Sequence, residues 1–308
     1  MAGEAQRFEN LRLQQAGAPR ALEEVRHFAS RNRFGGFGGV DGLLLAEHLR
    51  GLTDPAGASL YHVVARDRIE HSQGHDTDLE EAARGAYDQL WLIAVDATGA
   101  LTQVDVGNIG RFRQGGGGIL LTRDHQDLGA CLTKLGAVGA TQFFQTVNPD
   151  PDASRRCRDD TETPSINWPN FHSGSNGDLQ TIDAVEPIHP LMRAISGRAI
   201  CRLPAHPHEG AVGVPGALQE SARLVARGRS ATTGAIFNIC VAVDEPGMGR
   251  AVSDSSFHHF CDYNWDPRKG CPSFVDEPPG DEVLATRNAL DDVHSYVGNI
   301  AAWLAGNI

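Results

Sequence analysis

Hydrophobic and polar positions alternate in blocks along the chain, and the blocks predict the elements. "DQLWLIAVD" (88–96) is a continuous apolar run between acids, the signature of a strand buried on both faces. "GGILLT" (117–122) reads the same way, and "SLYHVVA" (59–65) is a shorter β-branched strand. Between the first two runs, Leu101, Val104, Ile109 and Phe112 fall near one face of a helix; after them Leu128, Cys131, Leu132 and Leu135 repeat at helical spacing. "FGGFGGVDGLLLAEHL" (34–49) predicts a glycine turn and then a helix burying Val40, Leu43, Leu44 and Leu45. "HSQGHDTDLEEAA" (71–83) enters a helix with Asp76 or Thr77 as N-cap.

Further strands are expected at 199–203, 222–226, 235–243 and 249–254. The turn "DEPGMG" (244–249) makes the last two an antiparallel hairpin. "HPLM" (189–192) starts a short helix, and Leu290, Val293, Val297, Ile300 and Leu304 mark a C-terminal helix on the sheet. Residues 146–182 lack periodicity and predict a long irregular loop or lid, with Trp168 and Phe171 packing it. The first 30 residues are ambiguous. Strand–helix alternation with apolar strands predicts an α/β fold with a mostly parallel sheet, a C-terminal β-hairpin and a helix, in one domain over 1–308.

Composition narrows the partners. The net charge of −12 and the lack of a basic face argue against nucleic acid and against a membrane surface. The N-terminus has no apolar signal core, and no run reaches the roughly 18 apolar residues of a spanning helix. Six cysteines form no CxxC pair; Cys131, Cys201, Cys240 and Cys261 lie in or beside apolar runs, as free thiols in a reducing cytoplasm would. Cys157, in "RRCRD", reads as an incidental surface thiol. "GGFGG" (35–39) reads as a turn rather than an anion cradle, and no nucleotide is expected. These features suit a small-molecule substrate or ligand and are compatible with a homo-oligomer.

In open α/β sheets, ligands bind beyond the carboxyl ends of the strands. Arg123, Asp124 and His125 follow the strand at 117–122; His206, His208 and Glu209 follow 199–203; His258 and His259 follow 249–254. Five of the thirteen histidines are thus near a predicted strand end. If the segment is extended, His206 and His208 can face one way.

"GGGGILLTRDHQDLG" (115–129) resembles the strand–elbow–helix of the class I glutamine-amidotransferase-like superfamily, and more narrowly its trehalose-utilisation (ThuA-like) branch. "YDQLWLIAVD" (87–96) is similar to that group's preceding strand, and "PGMGRAVSDSSFHHF" (246–260) to its late hairpin and histidine loop. The resemblance spans about 85–260 and implies a three-layer, flavodoxin-like domain. It places the nucleophilic cysteine on Thr122 or Arg123, so thiolate glutaminase chemistry is not expected. It places the family's histidine on His258 or His259, without the carboxylate two residues on; Asp262 is a loose substitute.

The residues then suggest a metal-assisted hydrolase or lyase acting on a small polar molecule. His206, His208 and His259 would hold zinc, iron, manganese or nickel. Glu209 and His258, with Asp124 and His125, would serve catalysis, and Arg123 would bind an anionic group. Two alternatives stay open: a non-catalytic ligand-binding or assembly module, and metal-free hydrolysis by Thr122 or Ser255 with His258.

Overall fold

The computed structural model describes residues 8–15, 43–68, 74–95, 101–123, 128–142, 170–270 and 277–308; for 8–15, 43, 66 and 67 it describes the backbone. The fold is mixed α/β. Strands β1 (Phe8–Gln15), β2 (Tyr61–Asp67), β3 (Gln89–Ala94) and β4 (Gly118–Arg123) alternate with helices α1 (Leu43–Gly51), α2 (Thr77–Ala83) and α3 (Gln103–Gln114). Then come the short α4 (Gly136–Gly139), β5 (Leu179–Thr181), β6 (Asp183–Ala184), β7 (Arg202–Pro204), β8 (Ala222–Arg229), β9 (Ile236–Val243) and β10 (Ala251–Asp254). The short α5 (Asp262–Trp265) and α6 (Glu282–Ala285) precede α7 (Asp291–Leu304).

Eight strands form one sheet in the order β2-β1-β3-β4-β10-β9-β8-β6, and β5 pairs with β7 in a second. A mostly parallel sheet is not what forms. Among the described residues, parallel pairing is confined to β3–β4 and β4–β10. Hairpin-type connections and the insertion of β1 between β2 and β3 make the remaining pairings of the large sheet antiparallel. The expected hairpin of β9 and β10 forms, with Ala251 opposite Val243. Because β10 runs parallel to β4, it ends at the same sheet edge as β3 and β4, whereas β9 ends at the other.

Side chains alternate across the strands and feed two apolar clusters. Trp91, Ile93, Leu120 and Val252 pack with Leu45, Leu49, Val293, Tyr296, Val297 and Ile300 from α1 and α7. Leu90, Leu92, Ile119, Leu121 and Ala251 pack with Leu79, Ile109 and Phe112 from α2 and α3. Each such side chain, fully buried, contributes roughly 1.5–3 kcal/mol. Asp76 caps α2, accepting from the Asp78 N–H. Thr102 and Asp105 form a capping box on α3, and buried Asp105 also takes Arg68 at 2.6 Å.

Four local readings are corrected. Val104 is exposed: Leu101 precedes the N-cap, so the buried stripe of α3 runs through Asp105, Asn108, Ile109 and Phe112. Leu128–Leu135 is a 3-10 turn (Ala130–Lys134) rather than an α-helix, because Gly129 (φ 71°) and Gly136 (φ 64°) break the chain on either side. Gly129 also lies against β3 and β4, where a Cβ would meet the Ala94 carbonyl oxygen at 2.3 Å. The segment at 199–203 gives only β7, which belongs to the small sheet, so His206 and His208 do not follow a strand of the main sheet. Cys201 is exposed, while Cys131, Cys240 and Cys261 are buried.

The glycine run before β4 is a packing device at the amino end of the strand. A Cβ on Gly117 would meet the Phe112 ring at 2.2 Å, and one on Gly249 would meet the Gly117 carbonyl oxygen at 1.9 Å. Arg113 ties the same corner together, donating from Nε to the Gly249 carbonyl at 2.9 Å. Val40, "GGFGG", Cys157 and Trp168 lie outside the described residues. Phe171 is buried and stacks on Phe237 with ring centroids 4.5 Å apart.

Candidate functional site

The loop leaving β10 builds the site. Asp254 ends the strand, and its Oδ1 accepts the Ser256 N–H at 3.0 Å, which turns the chain. Ser256 then caps a 3-10 turn, Phe257–Phe260, by accepting the His258 N–H. The tight turn sends the two adjacent histidines in different directions.

His259 points inward. Its Nδ1 lies 2.8 Å from Asp254 Oδ1 and its Nε2 lies 3.1 Å from Glu209 Oε1, and none of the three side chains is exposed. Gln180 Nε2 also lies 3.1 Å from His259 Nε2. With a carboxylate oxygen within ion-pair distance of each ring nitrogen, the charged imidazolium is the favoured form. Burial alone would lower its pKa, but the charges of Asp254 and Glu209, and their hydrogen bonds, outweigh it and push the value up to about 10.

Both carboxylates are saturated. Asp254 Oδ2 accepts from the Tyr296 hydroxyl at 2.7 Å. Glu209 is held by backbone pairing with Phe171, and its Oε1 also accepts from Ser255 Oγ at 2.9 Å. Its Oε2 accepts from Ser173 Oγ at 2.6 Å and Gln180 Nε2 at 2.5 Å. Gln180 Nε2 also donates to the Pro204 carbonyl at 3.0 Å, next to its contact with His259 Nε2.

His258 points the other way. Its Nδ1 lies 2.6 Å from the Tyr263 hydroxyl. In the neutral ring the proton is on Nε2 when the hydroxyl donates and on Nδ1 when it accepts. His206 stacks on it, with centroids 3.2 Å apart and planes 18° off parallel. His206 Nδ1 accepts the His208 N–H at 3.2 Å, and the His206 N–H donates to Ser173 Oγ at 2.9 Å. Ser173 therefore joins the histidine stack to the Glu209 network.

The structure thus brings together His206, His208, Glu209, His258 and His259, but in roles the sequence did not assign. His259 has both ring nitrogens against carboxylates instead of presenting one to a metal. Glu209 is turned into the buried network rather than grouped with His208. His206 and His258 have nearly parallel ring planes, so their in-plane lone pairs do not converge on one ion. Among the described residues, no three His, Cys, Asp or Glu side chains form a group able to hold a metal.

Arg123 and Thr122 are fully buried within β4, opposite Ala94 and Ile93. Among the described residues, the Thr122 hydroxyl has no hydrogen-bond partner and no base beside it. The Ser255 hydroxyl donates to Glu209 and not to His258. Asp124 and His125 lie outside the described residues. Asp262, the loose carboxylate substitute, accepts the Leu44 N–H at 2.9 Å.

Sequence reasoning missed Asp254, Ser173, Gln180 and Tyr296. Two carried a signal. Asp254 immediately precedes the histidine loop, and Tyr296 falls on the buried stripe of α7 with Val293, Val297 and Ile300, where a hydroxyl needs a partner.

No protein-family profile matches the chain, and no curated protein matches it. A solved structure, described as a cytoplasmic protein from Salmonella typhimurium, is similar over 96% of this chain and 96% of that chain, at 13% sequence identity and a TM-score of 0.39. Among the described residues, no helix is long and apolar enough to cross a membrane.

Proposed function

We propose that this chain is an acid–base enzyme, of the hydrolase or lyase type, acting on a small polar molecule at the carboxyl edge of β3, β4 and β10. The reading keeps the three-layer, amidotransferase-like frame of the ThuA-like branch without its glutaminase chemistry. Free cysteines fit its cytoplasmic setting. One observation carries it: the His259 imidazole between two buried carboxylates, directly beyond a central parallel strand. Burying an ion pair of this kind gains little stability over apolar packing, and strongly perturbed histidines cluster at functional sites.

In this reading His259 anchors the turn, and His258, set by Tyr263 and stacked on His206, moves the proton. Arg123 ends β4 at this edge, and Asp124 and His125 follow it in the sequence; the three are assigned to binding or polarising the substrate. A divalent ion would draw on His206 Nε2 and His208 and would need a further ligand, for which Asp124 and His125 are the candidates. The non-catalytic reading is favoured by one fact: His206 and His258 are only 4% and 3% exposed.

The test is a panel of small esters, amides and lyase substrates, run on the wild type and on His258→Gln, with elemental analysis of both. The reading expects turnover that falls about 100-fold or more in the variant, the usual worth of a positioned acid–base group. Equal turnover in the folded variant, or none in the wild type with and without added metal, supports the binding module instead.

A further inference from the structure

Away from the site, a second pair of histidines joins two helices. His48 on α1 and His294 on α7 stack with centroids 4.2 Å apart and planes 12° off parallel, and His48 Nε2 donates to the His294 carbonyl at 3.3 Å. Trp265 sets its edge against both rings, at 6.1 Å from His48 and 5.3 Å from His294. Trp265 is itself buried, and its indole N–H donates to the His259 carbonyl at 2.8 Å. The stack is therefore one side chain removed from the turn that carries His258 and His259.

We propose that the His48–His294 stack is an acid-operated latch, closed while both rings are neutral and opened by protonation, which frees Trp265 and loosens the histidine turn. The contact leaves little compensation for a charge. On α7, the charge of Asp291 favours the protonated His294 but by less than burial opposes it, and Asp292 is engaged by Arg198. On α5, Asp262 is engaged by the Leu44 N–H, with Lys269 4.0 Å away. On α1, Glu47 faces solvent. Burial and the neighbouring ring push His48 down to about 4, and burial lowers His294. The sign follows: protonation is disfavoured in the closed form, so the latch is intact above the ordinary histidine value near 6.5 and weakens as pH falls towards 4.

The test follows the His48 and His294 rings and the Trp265 indole N–H by NMR between pH 7.5 and 4, in the wild type and in His48→Phe/His294→Phe. The phenylalanine pair keeps two stacked rings and cannot titrate. The latch predicts depressed titration of both histidines. It also predicts Trp265 indole exchange that rises, corrected for intrinsic rate, by roughly tenfold per pH unit below the free histidine value for each ring that takes up a proton. That rise is absent in the double variant. Ordinary titration of both rings in the wild type, an unchanged indole, or the same rise in the folded double variant overturns it. If the double variant does not fold, the wild-type titration alone decides.

Discussion

His259 is shared between two carboxylates that the chain brings from 45 residues apart: Asp254 on its Nδ1 at 2.8 Å and Glu209 on its Nε2 at 3.1 Å. Asp254 is local to the turn. Glu209 arrives from a segment pinned to Phe171. The imidazolium therefore fastens the end of β10 to the layer that carries His206, and its removal would leave two buried charges facing each other.

His259→Gln is expected to cost about 3–5 kcal/mol, the range for breaking a buried pair from one side. The pH dependence has a definite sign. The folded pKa lies above the ordinary 6.5, at about 10, so this contribution is complete below 6.5 and is lost as pH rises through 10. Urea denaturation at pH 7 and at pH 9.5 should show the gap between wild type and variant shrinking at the higher pH. A gap that is constant or widens would count against the charged ring.

Tyr296→Phe removes the hydroxyl that donates to Asp254 Oδ2 at 2.7 Å and leaves the ring in the core. The exposed consequence is one unsatisfied carboxylate oxygen, worth about 1–3 kcal/mol. The same denaturation assay measures it, and a loss under 0.5 kcal/mol would show that Asp254 finds another donor.

Two glycines should respond in opposite directions to alanine. At Gly249 a Cβ would meet the Gly117 backbone at 1.9 Å, where neither strand end can give. Gly249→Ala should cost about 1–3 kcal/mol. Gly110 sits inside α3 with nothing within 4 Å of its added Cβ. Gly110→Ala should gain about 0.5–1 kcal/mol. Thermal melts of the two variants check the contrast.

The strands that positioned the site were legible because they are buried on both faces: 88–96 became Gln89–Ala94 and 235–243 became Ile236–Val243. Strand β1, "FENLRLQQ", was not, since its place comes from pairing with β2 and β3 and not from an apolar run of its own. The histidines of "SSFHHF" were visible as a pair, but spacing cannot say which turns inward; the Ser256 cap and the Asp254 turn decide that. Glu209 looked like a companion of His208 by adjacency. Its burial depends on the pairing with Phe171, which no local pattern announces.

The most direct measurement is the nitrogen NMR of the His259 ring at pH 8.5, assigned by comparison with His259→Gln. The account predicts both ring nitrogens protonated, about two pH units above the ordinary histidine pKa, where a free ring is almost wholly neutral. A neutral His259 at that pH would contradict the charged bridge between Asp254 and Glu209, and with it the reason for reading this turn as a functional site.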